Sequence, residues 1–505
     1  MTRLLAIDVG TTNWKAALFS ETGDLVGGCE VPAVTHRDSS GQFYDPGEMW
    51  AGIAEAVRGL PEGGRSPAAV CVTSMAEAGV PIGGDGNPVY PAITWFDPRS
   101  LPQAKELERR VGAKRLFEIT GLDPNPIFSL PKIAWIRDNE PAVFSRIRHW
   151  LSVADYINYR LCGEIVTDFS LASRTLAYDL STRGWSDEIL DSLEVPECLF
   201  PSVQTAGFRI GSVRSEASRE TGIAEGTPVI LGGHDHHCAF LAAGALLKDV
   251  VLDSSGTAES VMTLLPQGKD RPKVFKGMRV GYFIDPDRFA SMGGILASGA
   301  SVDWAVENIW RGSGGEGKNG LSDYGEVIAA ASAAAPGSGG LFFLPHLRGA
   351  GAPAWEPRSR GAFIGLRTTH TRGDLLRAVF EGLCFELRVL LDAVEYAFDI
   401  KTTGMNTVGG GAKNTFWQTI KADITGLDVN VPDVKDSTAQ GAALVAGVGI
   451  GVYPDLVAAS RSTFRLLQRS APRPDLRAFY AERYSLYRKI YGQLREINIA
   501  LAELS

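Results

Sequence analysis

A chain of 505 residues is too long for one hydrophobic core, and at roughly 100–200 residues per domain it divides into several structural units, with two large domains the simplest arrangement. Hydrophobic content of 45% with 21% charged residues is that of a folded globular protein and excludes extended disorder. A net charge of -8 without any Lys/Arg run excludes a nucleic-acid binder, and no stretch reaches the ~20 apolar residues of a membrane span; six dispersed cysteines with no CxxC pair read as buried, reduced thiols.

Met1-Thr2-Arg3 leads directly into strand-like sequence with no charged-then-apolar leader, so a cytoplasmic location is expected. Residues 4–9, 14–19 and 25–31 read as three strands separated by Gly-Thr-Thr-Asn and Glu-Thr-Gly-Asp turns. Helical composition or spacing follows at 46–59 and 131–137, and the short apolar runs at 69–73 and 229–231 suit buried parallel strands. The fold class is α/β. Apolar sequence at 250–265, interrupted by Asp253-Ser254-Ser255-Gly256-Thr257, repeats the opening pattern and predicts a duplicated domain beginning near residue 245. Gly, Ser and Ala dominate 311–320 and 331–340, which read as surface loops flanking a helix. At the C-terminus, Tyr480, Tyr484, Tyr487, Tyr491, Leu494 and Leu501 mark one face of an amphipathic helix, expected to pack on the domain.

The strongest local chemistry lies in Asp8-Val9-Gly10-Thr11-Thr12-Asn13-Trp14-Lys15, between two strands. A carboxylate at a strand end can hold Mg²⁺ through water, Gly10 opens backbone N–H groups to phosphate oxygens, and Thr11, Thr12 and Lys15 add donors and charge. An ordinary hairpin turn explains that string equally well. Asp253 to Thr257 offers the same chemistry again, and Val408-Gly409-Gly410-Gly411-Ala412-Lys413-Asn414 supplies a third glycine turn entering a helix. Three such loops across two halves fit a nucleotide in a cleft. Gly312-Ser313-Gly314-Gly315-Glu316-Gly317-Lys318-Asn319 nearly spells a P-loop, but it ends in Asn319 and follows helix-like sequence at 301–310, so it is rejected. Leu231-Gly232-Gly233-His234-Asp235-His236-His237 places a carboxylate among three histidines. Neighbouring residues point in different directions, which disfavours a metal site and favours a catalytic carboxylate over a structural cluster.

With these residues in hand, the chain resembles the FGGY family of carbohydrate kinases over nearly its whole length, through to Ser437-Thr438-Ala439-Gln440-Gly441-Ala442-Ala443. Gly361-Ala362-Phe363-Ile364-Gly365-Leu366, followed by Asp374-Leu375 and Ala378-Val379-Phe380-Glu381, is similar to the family's C-terminal signature at every defined position. The N-terminal signature is seen at 129–139 with Lys132, Ile133 and Trp135, while Ile127 departs from it. Trp135 and Ile136 read as core.

The resemblance implies two ribonuclease-H-like domains of the actin-like ATPase type with a cleft between them, roughly 1–244 for sugar and 245–505 for nucleotide. It implies ATP and Mg²⁺ as cofactors, a small sugar or polyol as the partner molecule, and no nucleic acid or membrane. Homo-oligomerisation is left open. By the same resemblance Asp235 is the general base, Asp8 and Asp235 lie near Mg²⁺, and Gly10, Thr11, Thr12 and Lys15 line the phosphate path. Ser255, Gly256 and Thr257 form the second phosphate loop, Gly299 lies beside the nucleotide, and Gly410, Gly411 and Asn414 contact adenosine and its phosphates.

Substrate contacts are expected from Met75, Ala76, Glu77, Trp95, Asp97, Asp235 and His236. Glycerol kinases carry Arg-Glu where this chain has Ala76-Glu77 and Tyr where it has Ile127; xylulose kinases carry Met-His-Gly near Met75-Ala76-Glu77. A ketopentose such as xylulose, or a related ketose or alditol, is therefore the expected acceptor. The alternatives are another polyol such as glycerol, or an ATPase module of the same superfamily with no sugar acceptor.

Overall fold

The computed structural model describes residues 2–61, 66–247, 250–268, 270–272, 274–311 and 320–504; the near-P-loop string at 312–319 lies outside the described residues. The first sheet opens as an antiparallel meander of β1 (Arg3–Val9), β2 (Asn13–Ser20) and β3 (Leu25–Pro32). Strand β4 (Ala69–Ser74) adds parallel to β1, β5 (Arg209–Ser212) forms the far edge, and β6 (Pro228–His234) lies between β4 and β5. Each strand read from the sequence in this half is present and longer at one or both ends. β1 and β4 are buried along almost their whole length because both faces of the sheet are covered.

The second sheet consists of β7 (Val251–Ser255), β8 (Glu259–Leu264), β9 (Arg279–Tyr282), β10 (Phe289–Ile295), β11 (Gly404–Val408), β12 (Asp428–Pro432) and β13 (Leu466–Ser470). Its order is β9-β10-β8-β7-β11-β12-β13, and after the added edge strand β9 it repeats the order and strand directions of the first sheet. The register repeats too. Asp8 of β1 stands opposite Thr73 of β4, and Asp253 of β7 stands opposite Thr407 of β11. Asp253 to Ser255 belong to the strand, and the turn itself begins at Gly256.

Helix α1 (Pro46–Arg58) starts where the sequence marks it: the Asp45 side chain accepts the Glu48 N–H at 2.8 Å, and Pro46 occupies the first turn, where its missing donor costs nothing. Helix α2 (Ser129–Asn139) covers the expected 131–137 segment. Helix α3 (Asp235–Ala242) leaves the end of β6, α4 (Gly299–Ala305) follows β10, α5 (Arg372–Phe398) spans the second half, and α6 (Thr415–Thr425) follows β11. The two halves meet through α3 and α7 (Ser437–Gly449). A side chain at Gly441 would place Cβ 1.9 Å from the Cys238 carbonyl oxygen, so the crossing requires glycine there. Residues from both halves, including Leu4, Ile230, Phe240, Leu252, Met262 and Ala443, share one buried cluster around this crossing.

The C-terminal helix α8 (Arg477–Leu504) packs through the tyrosines named above: the hydroxyls of Tyr480, Tyr484 and Tyr487 donate to Glu381, Asp392 and Glu386 of α5 at 2.9, 2.6 and 2.8 Å. Burial fades along the helix, and Leu501 is exposed, so the packed face is shorter than the sequence periodicity suggests. Two further expectations are corrected. Ala331 is buried within the helix Gly320–Ala333 and is not in a loop, and Cys198 is an exposed thiol. Among the described residues no helix is long and apolar enough to cross a membrane.

Candidate functional site

Asp235 owes its position to a kink. Pairing of β6 with β4 shifts register between Leu231 and His234, and the strand passes straight into α3 with Asp235 as the first helical residue. The Thr73 hydroxyl donates to the Gly233 carbonyl at 2.7 Å and the His234 N–H donates to Ser170 Oγ at 2.9 Å, which fixes the junction. Asp235 Oδ1 accepts its neighbour's backbone N–H, from His236, at 2.6 Å and lies 3.2 Å from His234 Nε2. Burial raises the Asp235 carboxyl above the ordinary range, with the His236 ring pulling it back. Burial also holds His234 and His237 well below the usual histidine range, so both are neutral; the His237 ring stacks on Phe283.

Around Asp235 the structure gathers Asp8, Lys15 and a residue the sequence reading missed, Asp436. Lys15 Nζ lies 3.0 Å from Asp436 Oδ2 and 3.9 Å from Asp8 Oδ2. Burial opposes the charge on Lys15, but Asp436 and then Asp8 hold it above the usual lysine range. Asp8 is buried, its Oδ1 has no hydrogen-bond partner among the described residues, and burial, Asp436 and Asp235 together push its carboxyl well up while Lys15 pulls it down. Asp436 caps α7, accepting the Ala439 N–H at 3.0 Å; an Asp just ahead of a Ser-Thr-Ala-Gln helix start is a capping pattern that could have drawn notice.

Beside this cluster, the Trp95 indole donates to Thr11 Oγ1 at 3.0 Å, and Thr11 Oγ1 lies 3.8 Å from the Met75 sulfur. Ala76 is buried, and Glu77 sits in the left-handed region at φ 67. Glu77 is paired with Arg174, a second residue missed from sequence, whose Nε donates to Glu77 Oε1 at 2.7 Å. Lys132 of α2 is buried, its charge opposed until the pKa falls to about 7, and it donates to the carbonyls of Pro126, Ile127 and Phe128, pinning the loop that carries Ile127. Asp97 is otherwise engaged. It is 2% exposed, and its carboxylate takes the Gln42 N–H and the Arg99 backbone and guanidinium, which makes it a brace for that loop.

The second-half loops form their own constellation. Gly299 N–H donates to the Gly256 carbonyl at 3.0 Å and the Ala300 N–H to the Thr257 carbonyl at 3.1 Å, so the exposed Gly256-Thr257 turn is stitched to the start of α4. The Gly410-Gly411 turn lies against Ser255: a Cβ on Gly411 would sit 2.7 Å from Ser255 Cβ and 3.0 Å from the Trp417 ring. Asn414 caps α6 through the Trp417 N–H at 3.1 Å. Beneath the turn lies Lys421, another residue missed, with Nζ 2.7 Å from Glu259 Oε1 and in contact with Asp253 and Ser255 Oγ. Asp8 keeps a free oxygen, whereas its counterpart Asp253 has a fixed cation.

Family models place this architecture. The FGGY family of carbohydrate kinases, N-terminal domain, matches residues 3–242, and the C-terminal domain of the same family matches 252–450. The chain belongs to the FGGY family of carbohydrate kinases. It is 31% identical to a xylulose kinase of Lactococcus lactis across 100% of this chain and 99% of that protein. It is 28% identical to a gluconokinase of Bacillus subtilis across 92% of this chain and 91% of that protein. A crystal structure of xylulose kinase from Rhodospirillum rubrum superposes with a TM-score of 0.87 at 26% identity, covering 98% of this chain and 99% of that one. The chain is thus an ATP-dependent sugar kinase with the two-domain actin-like ATPase fold, and the reading as a nucleotide module without an acceptor is set aside.

Proposed function

We propose that this kinase transfers the γ-phosphoryl group of ATP to a hydroxyl of an uncharged ketose, with a ketopentose such as xylulose preferred, and that Asp235 is the general base. The observation that carries the substrate reading is the pairing of the cations around Asp235. Lys15 faces Asp436, Arg174 faces Glu77, and His234 and His237 are neutral, so the two cations beside Asp235 each already have a carboxylate partner. A sugar acid's carboxylate would have to draw Lys15 from Asp436 or Arg174 from Glu77, whereas a neutral sugar leaves both pairs in place. Glycerol is disfavoured for a different reason: Ala76 and Ile127 stand where glycerol kinases carry Arg and Tyr. A coupled ADP-release assay over ketopentoses, ketohexoses, alditols, glycerol and gluconate tests this. Highest kcat/KM for a neutral ketose is expected; preference for gluconate or glycerol would overturn the reading.

Asp235 accepts the proton of the acceptor hydroxyl as that oxygen bonds to phosphorus and the bond from phosphorus to the ADP oxygen breaks. Gly10, Thr11, Thr12 and Lys15 on one side and Ser255, Gly256 and Thr257 on the other are assigned to the phosphates, with Gly299, Gly410, Gly411 and Asn414 at the nucleoside. Mg²⁺ fits Asp8 and Asp235: it takes one or two carboxylates and keeps several waters, and Asp8 Oδ1 is a buried oxygen without a partner among the described residues. When bound, it neutralises charge on the phosphoryl oxygens. Residues 1–244 are assigned to sugar and 245–505 to nucleotide.

Gly411→Val is expected to drive its side chain into Ser255 and weaken ATP binding by at least ~10-fold by calorimetry while the protein stays folded. Unchanged ATP affinity would remove Gly411 from the nucleotide site. Glu77→Ala should raise KM for the preferred sugar by about 10- to 100-fold and leave KM for ATP within about 2-fold, because a substrate hydroxyl loses a charged acceptor. Equal effects on both constants would make Glu77 structural.

A further inference from the structure

The ion pair between Glu77 and Arg174 is arranged as an unfinished one. Nε and Nη2 of Arg174 both donate to the same oxygen, Glu77 Oε1. A pair serving stability alone does better side by side, one N–H to each oxygen. Here Arg174 Nη1 and Glu77 Oε2 have no hydrogen-bond partner among the described residues, and neither atom is sealed from solvent although the two side chains are only 12% and 9% exposed. One donor and one acceptor are therefore left side by side in a largely desolvated wall.

Both residues are held so that this pattern persists. The Ser129 hydroxyl donates to the Glu77 carbonyl at 3.1 Å, and the Arg174 guanidinium lies 5.2 Å from the centroid of the Phe128 ring. The next residue back, Ser173, accepts the Tyr282 N–H on its hydroxyl at 3.0 Å, which ties the Arg174 loop to β9 of the other half. The pair lies near Asp235: Glu77 is two residues beyond Met75, whose sulfur is 3.8 Å from Thr11 Oγ1, and both charges act on the Asp235 carboxylate.

We propose that Arg174 is a specificity-determining residue that, with Glu77, reads two adjacent hydroxyls of the sugar: Nη1 donates to one oxygen, and Oε2 accepts from the neighbouring hydroxyl. An uncharged vicinal diol matches one donor beside one acceptor, and a sugar lacking either hydroxyl leaves a charged group unpaired. The inference rests on the assignment of this cleft wall to the sugar.

The test is a cycle between enzyme and substrate. Wild type, Arg174→Met and Arg174→Lys are assayed on the preferred ketose and on its single-deoxy analogues, with ATP binding by calorimetry as the check on folding. For wild type, one deoxy analogue should lose about 10- to 100-fold in kcat/KM. Arg174→Met should raise KM for the parent sugar by a similar factor with kcat within about 3-fold, and should treat that analogue and the parent alike within about 2-fold. Arg174→Lys, which keeps the cation but not the fork, should fall between them. If every analogue loses the same factor in wild type and in the variants, Arg174 only braces Glu77 and the proposal fails. Should Arg174→Met not fold, the Arg174→Lys cycle decides on the same criterion. Wild type that turns over no neutral sugar sinks the substrate reading itself, whereas an active wild type with no coupled hydroxyl sinks only the role of Arg174.

Discussion

Asp235→Asn is expected to lower kcat by at least ~10² while ATP binding and thermal stability stay close to wild type. A sugar hydroxyl is a poor nucleophile at neutral pH, and its proton has to leave as the new O–P bond forms. The proposed base is the carboxylate at the start of α3, at a strand end that the register shift and the Thr73 and Ser170 hydrogen bonds fix. Asn keeps the size and removes the basicity. Among the neighbouring histidines, His234 and His237 are buried and His236 is the more accessible rival, so His236→Ala belongs in the same experiment. Loss of activity in His236→Ala with more than about a tenth retained in Asp235→Asn would reassign the base. The pH profile adds a second readout. Burial raises the folded pKa of Asp235, and a protonated carboxylic acid cannot accept the sugar proton, so the acidic limb of kcat/KM should lie above the ordinary Asp value of about 3.9.

Lys421→Met is expected to destabilise the second half by about 3–5 kcal/mol, which lowers its unfolding midpoint by about 6–20 °C. Lys421, Asp253 and Glu259 are each at most 1% exposed, and the ammonium serves both carboxylates as well as Ser255 Oγ. Burial opposes the lysine charge, yet Asp253 and Glu259 outweigh it and hold it above the usual lysine range. Burial and then Glu259 push the Asp253 carboxyl up, with Lys421 pulling it down. Removing the cation leaves two carboxylates facing each other away from water. Adding Glu259→Gln removes one of the two stranded charges and should recover part of the loss. An unchanged midpoint in Lys421→Met, measured by calorimetry or circular dichroism, would mean that the network is solvated. Because Ser255 carries the Gly410-Gly411 turn on its side chain, the same variant should also weaken ATP binding.

The parts of this architecture that announce themselves in the sequence are local. The meander of β1 to β3 is written in apolar runs broken by turn residues, and the duplication shows in Asp253 to Thr257 because the Asp8 register is repeated with a similar residue string. Tyr480, Tyr484 and Tyr487 reveal their buried face by helical spacing, although the exposed Leu501 shows that the period outlasts the packing. What the sequence hides are partnerships between distant residues. Arg174 and Glu77 are 97 positions apart, Lys421 and Asp253 are 168 apart, and Lys15 and Asp436 are 421 apart. No spacing rule joins such pairs. Asp97 illustrates the converse: beside Trp95 it is expected to read a substrate hydroxyl, but the fold turns its carboxylate onto Arg99 and Gln42.

Asp235-dependent phosphorylation of an uncharged ketose is open to a competition experiment. Wild-type enzyme is given ATP with equal concentrations of xylulose and gluconate, the products are resolved by phosphorus NMR, and Asp235→Asn is run in parallel. Ketose phosphate is expected as the dominant product, with excess over phosphogluconate of at least ~10-fold and neither product forming at more than about a hundredth of that rate in Asp235→Asn. Phosphogluconate as the main product, or ketose phosphate formed by Asp235→Asn at a rate near that of wild type, would contradict it.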